Sequence, residues 1–155
     1  MAVKITSASQ ALFMAIEMEK RAVSLYERML ILFASSENQA LLEHLLADEK
    51  RHLIQFEHHL DEQSQSLENT MLLSALADEV LFEGGLNRML REGVLESNQS
   101  LLDYAAQEEQ KAIDTYTSYA ELCEGDAKEA FLQIAAEEKT HLKVLEKMMN
   151  EKGNL

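Results

Sequence analysis

The chain has 155 residues, one domain's worth, and 46% of them are hydrophobic, enough for a real core. It has no proline, only five glycines, and much Ala, Leu, Glu, Gln, Lys and Met, which is an all-helical composition. The formal charge of −14 argues against nucleic acid or an anionic membrane as a main partner, and the single cysteine, Cys123, excludes a disulfide framework or a cysteine-rich metal site within one chain.

Glu17 interrupts the N-terminal apolar run, so a signal peptide is not expected. No apolar run approaches the roughly 18 residues of a membrane span, and a soluble cytoplasmic protein is the expectation. The first long helix is predicted over about 8–33, with Ser7 or Ser9 as its cap. Leu12, Ile16, Val23, Tyr26 and Leu30 form its apolar stripe. "ASSEN" at 34–38 is the turn, and the second helix runs over about 37–61 with Leu42, Leu45, Phe56 and Leu60 inside. A crossover follows over about 63–97. It contains a shorter predicted helix, about 70–82, that ends at Gly84-Gly85. The third long helix starts near Ser97–Asn98 and continues to Cys123, with Leu102, Ile113 and Tyr116 inside. "EGD" at 124–126 is a turn. The fourth helix fills about 127–150, with Phe131, Ile134, Leu145 and Met148 inside and a frayed tail beyond.

The two halves repeat. "AIEMEKRAVSLYERM" at 15–29 aligns with "AAQEEQKAIDTYTSY" at 105–119, so that Glu19, Ala22 and Tyr26 match Glu109, Ala112 and Tyr116 at an offset of 90. "ADEKRHL" at 47–53 matches "AEEKTHL" at 136–142, pairing Glu49 and His52 with Glu138 and His141 at an offset of 89. The chain reads as a duplicated helical hairpin joined by a long crossover. In an antiparallel hairpin, residues equidistant from the turn share a level. Glu19 is therefore level with Glu49, and Glu109 with Glu138. The same arithmetic stacks apolar layers on either side, such as Leu12 with Phe56 and Tyr116 with Phe131.

A residue three positions on lies on the same helix face, so each Glu-x-x-His pair aims at one place. Four inward carboxylates without partners are prohibitively unfavourable, and cations relieve them. Four Glu and two His offer mixed oxygen and nitrogen ligation, which suits iron or manganese and accepts zinc. The candidate metal ligands are Glu19, Glu49, His52, Glu109, Glu138 and His141. Tyr26 and Tyr116, seven residues after Glu19 and Glu109, either hydrogen-bond a ligand carboxylate or are core aromatics satisfied locally. Asp48 and Glu137 lie four residues before their own histidines, where each could orient an imidazole, although a solvated face is the commoner reading. His44, His58 and His59 read as surface residues.

The motifs "EMEKRAVSLY", "DEKRHL", "EEQKAIDTY" and "EEKTHL" resemble the rubrerythrin branch of the ferritin-like superfamily, over nearly all of the chain apart from the crossover. The resemblance implies an all-α ferritin-like four-helix bundle with one long connection between its second and third helices, and a di-iron centre. It carries Glu19, Glu49, His52, Glu109, Glu138 and His141 over as ligands of two iron ions, with manganese or zinc as alternatives. There are two departures. Rubrerythrins carry a rubredoxin-like domain with four iron-binding cysteines, which this chain lacks. They also tend to have an extra Glu one turn along the third helix, where this sequence has Ala105, Ala106, Ala112 and Ile113.

Three functions fit these residues. One is a non-haem di-iron oxidoreductase that reduces peroxide or dioxygen, with peroxide favoured by the resemblance of the helical motifs to rubrerythrin. Its electrons come from iron(II) or a separate donor protein, and the charge of −14 suits a basic docking face on that donor. The second is iron or divalent-metal sequestration, ferroxidase-like and without peroxidase turnover. The third is a metal-stabilised structural module. Leu72, Leu73, Leu76, Val80 and Leu81 in the crossover form an apolar stripe that could cap the bundle or pack on a second copy, and its size, larger than one bundle needs, favours a homodimer.

Overall fold

The computed structural model describes residues 4–33, 37–62 and 98–153. Among them are four helices and no strand: α1 (Ala8–Leu32), α2 (Gln39–Asp61), α3 (Asn98–Ala120) and α4 (Gly125–Gly153). Ser7 caps α1 with an extended backbone, its side chain accepting the Gln10 N–H at 3.2 Å. The Gln10 side chain reaches back to the Thr6 N–H at 2.8 Å, so two otherwise unpaired donors are satisfied at this end.

Among the described residues most of the core lies in two apolar plugs. One gathers Leu12 and Ile16 of α1, Phe56 of α2, Ala112 and Tyr116 of α3, and Phe131 and Ile134 of α4. The other gathers Tyr26 and Met29, Leu42 and Leu45, Leu101 and Leu102, and Leu145 and Met148. The start of α1 thus meets the end of α2, the end of α3 and the start of α4. That arrangement makes α1 antiparallel to both α2 and α3, so α2 and α3 run parallel, the direction expected of a bundle with one long crossover. Among the described residues each helix has two main neighbours: α1 packs on α2 and α3, and α4 packs on α3 and α2.

Several boundaries differ from the expectation. The third helix ends at Ala120 rather than Cys123. Glu121, Leu122 and Cys123 donate their N–H groups three residues back, to Ser118, Tyr119 and Ala120. These tighter turns end the α-helix and carry Cys123 into the first plug. The fourth helix begins at Gly125, ahead of the expected 127, because that glycine adopts φ +60° and turns the chain within one residue. It runs on to Gly153 rather than stopping near 150. In α1, Val23 and Leu30 are only half-buried, while Leu25 and Met29 are buried. A helix with two neighbours buries a broader face than a single hairpin seam, and those two residues lie at its edge. The crossover over 63–97, its short helix and the stripe behind the homodimer expectation lie outside the described residues.

Candidate metal centre

Between the two plugs the bundle interior changes character. Glu19 of α1, Glu49 and His52 of α2, Glu109 of α3, and Glu138 and His141 of α4 all turn inward, none more than 3% exposed. The helices are unbroken through this layer, so the three-residue spacing stacks Glu49 beside His52 and Glu138 beside His141. All six sequence-predicted residues meet here.

They form two overlapping groups. Glu19, Glu49, His52 and Glu138 offer ligand atoms within 4.8 Å of one another, and so do Glu49, Glu109, Glu138 and His141. Glu49 and Glu138 belong to both. His52 Nδ1 lies 3.1 Å from Glu138, 3.7 Å from Glu19 and 3.8 Å from Glu49. His141 Nδ1 lies 2.8 Å from Glu49, 3.4 Å from Glu138 and 3.6 Å from Glu109. The two imidazoles are near-parallel, with ring centroids 5.8 Å apart.

These close approaches are not aligned hydrogen bonds. Both oxygens of Glu49, Oε2 of Glu19, Oε2 of Glu109, Oε1 of Glu138, Nδ1 of both histidines, and His52 Nε2 with the Glu137 Oε2 near it are buried without an aligned hydrogen-bond partner. Burial pushes the Glu49 and Glu138 carboxyls well above 4.5, and neighbouring carboxylates add to it, chiefly Glu19 for Glu49 and Glu109 for Glu138. Burial opposes charge on His141, but Glu109, Glu138 and Asp48 outweigh it and raise the imidazole to about 9. Unpartnered oxygens and nitrogens converging in a buried layer form a donor set that fits divalent cations. Four carboxylates carry the negative charge that balances two such ions.

The tyrosines resolve in favour of hydrogen bonding, and across the two hairpins. Tyr26 donates to Glu109 Oε1, and Tyr116 donates to Glu19 Oε1 at 2.9 Å. Burial, reinforced by these carboxylates, raises both phenols well above 10, so both remain donors. Each bond engages one oxygen of its carboxylate and leaves Oε2 unpartnered.

Asp48 and Glu137 also serve the opposite hairpin, not their own. Asp48 Oδ2 is hydrogen-bonded to His141 Nε2 at 3.0 Å, and Glu137 Oε2 stands 3.3 Å from His52 Nε2. Both are partly buried, so the solvated-face reading gives way. Each histidine therefore shows Nε2 to an outer carboxylate and Nδ1 to the centre. Arg51 lies over this outer pair, contacting both Asp48 and Glu137, and the sequence reading did not single it out. Its signal was present: Arg51 is three residues after Asp48, on the same helix face. His44 and His58 are exposed as expected, whereas His59 is half-buried.

No described helix is long and apolar enough to cross a membrane. The rubrerythrin family model matches residues 100–154, the second hairpin with Glu109, Glu138 and His141. Searches of curated proteins and of solved structures returned no match. That match, confined to the second hairpin, and the all-helical bundle together support a rubrerythrin-like, ferritin-like domain.

Proposed function

We propose that the centre holds two iron ions and that the protein is a non-haem di-iron oxidoreductase reducing peroxide or dioxygen. The observation that supports this most is the pair of overlapping donor groups sharing Glu49 and Glu138. A single-ion site does not require two such groups. In this reading Glu19, Glu49, His52 and Glu138 would hold one ion and Glu49, Glu109, Glu138 and His141 the other.

When bound, a pair of iron(II) ions supplies two electrons to an O–O bond. The chain's own residues set the conditions. Four hard carboxylate donors favour the more highly charged oxidised metal. Tyr26 and Tyr116 restrain Glu109 and Glu19 through one oxygen each and leave the other for a metal. Asp48 and Glu137 face the outer nitrogens of the imidazoles and so present Nδ1 inward. The apolar plugs on both sides exclude bulk water, which strengthens every charge interaction within the layer. With Cys123 the only cysteine among these 155 residues, the sequence holds no four-cysteine electron carrier. Electrons come from iron(II) or a separate donor protein, and the charge of −14 favours a donor with a basic docking face.

The test is a stoichiometric pulse of peroxide, and separately of dioxygen, on iron(II)-loaded protein followed by ferric absorbance. Peroxide should oxidise the loaded protein faster than free iron(II), and His52→Ala should slow the reaction. Replacing both Glu49 and Glu138 by Ala should abolish binding of two equivalents. Faster reaction with dioxygen assigns the centre to ferroxidase chemistry, and two tightly bound ions in the double variant reject the ligand set.

A further inference from the structure

Arg51 stands where the internal repeat fails. The offset of 89 that relates Asp48 to Glu137 and His52 to His141 relates Arg51 to Thr140. Arg51 Nη2 lies 3.1 Å from Asp48 Oδ1 and also contacts Glu137 Oε1. The other oxygens of those carboxylates face the histidines, Asp48 toward His141 Nε2 at 3.0 Å and Glu137 toward His52 Nε2 at 3.3 Å. One guanidinium nitrogen therefore joins two carboxylates, and each carboxylate faces one imidazole.

The broken symmetry has a physical reason. Asp48 and Glu137 come from equivalent positions on two antiparallel helices and converge on one cation. An arginine at 140 as well would compete for the same oxygens. Thr140 instead lines a recess of about 130 Å³ together with His44, Asp48, Glu137 and His141. The outer face of the centre is thus covered by a long cation on one side of the repeat and open on the other.

We propose that Arg51 is a positioning residue for both histidines of the centre, acting through Asp48 and Glu137; the inference rests on the metal-binding reading above. Without Arg51, two carboxylates of like charge are left partly buried with no cation between them. They repel and turn toward water, so His141 loses the hydrogen bond, and His52 the close carboxylate, that direct Nδ1 inward. An arginine suits the role because it stays charged at all working pH and has a planar nitrogen fork on a long stem. A lysine supplies only a point charge.

The experiment is a cobalt(II) titration of the metal-free protein against a competing chelator, with the visible ligand-field spectrum recorded. It compares wild type, Arg51→Thr, Arg51→Lys and the exchange variant Arg51→Thr/Thr140→Arg. Arg51→Thr should weaken cobalt(II) binding about tenfold, the low end for residues that orient metal ligands. It should also change the spectrum and hasten release to chelator. Arg51→Lys should fall between it and wild type. The exchange variant returns the guanidinium to the same carboxylates from the other helix, and it should recover both affinity and spectrum. A purely structural role would lower the melting temperature of the metal-free protein and leave affinity and spectrum of the folded fraction unchanged. That result, or wild-type behaviour of Arg51→Thr, overturns the inference. Should Arg51→Thr not fold, the lysine and exchange variants decide by the same two readouts. If wild type takes up no more cobalt(II) than the Glu49→Ala/Glu138→Ala protein, it is the metal reading that fails.

Discussion

Tyr26 and Tyr116 each set a hydroxyl of one hairpin against a carboxylate of the other. In Tyr26→Phe the Glu109 carboxylate loses that donor while it stays buried, which costs about 1–3 kcal/mol in the metal-free protein by urea denaturation. The loss should shrink once metal is bound, because a cation then satisfies the carboxylate. An equal loss with and without metal would detach the tyrosine from the centre. At this scale much was legible in the sequence. The two Glu-x-x-His pairs each lie three apart on one helix, and level-matching set Glu19 and Glu109 beside them, so all six came together. The partners of the imidazoles were not legible. Asp48 was paired in sequence with His52, yet it faces His141, because Nε2 points away from its own helix toward the neighbour. Which neighbour lies there is a property of the assembled bundle.

Helix lengths and directions followed from apolar periodicity and from the hairpin midpoints, and both hairpins formed as expected. The helix ends between α3 and α4 did not, because they depend on backbone geometry that composition does not carry. Gly125 is the case in point. Its φ of +60° is a left-handed conformation, and a Cβ added there meets no atom within 4 Å. Gly125→Ala should therefore act through backbone strain alone, and it should cost about 1 kcal/mol in a urea titration with the slope unchanged. A neutral outcome would mean the turn has another conformation of similar energy. Phe131 tests the plug that this turn leads into. It is fully buried, with ring centroids 4.9 Å from Phe56 and 5.7 Å from Tyr116. Its counterpart in the repeat is Leu42, so the two plugs differ at this level, an aromatic ring in one and an aliphatic side chain in the other. Phe131→Ala should cost about 3–5 kcal/mol, read as a fall in the denaturation midpoint.

Across the whole molecule, a core split by a charged layer makes stability depend on what neutralises that layer. In the metal-free protein the candidates are protons. Glu49 and Glu138 have carboxyls raised above 4.5, so the folded chain holds protons that the unfolded chain releases once pH exceeds that value. Their effect is to lower stability as pH rises. His141 is raised from 6.5 to about 9, so its contribution is fully present below 6.5 and is lost as pH rises through 9. Both run in the same direction, and the melting temperature of metal-free protein should fall from about pH 5 to about pH 9. Divalent cations take the place of those protons, so their binding releases protons and strengthens with pH. A cation at about one hundred times its dissociation constant adds roughly 2.7 kcal/mol to the folded state. The gap in melting temperature between metal-loaded and chelated protein should therefore be small at about pH 5.5 and wide at about pH 8, measured by calorimetry at fixed total metal. A gap that stays constant across that range, or closes as pH rises, would place the bound metal outside the buried layer, because exposed carboxylates are already ionised throughout and exchange no protons there.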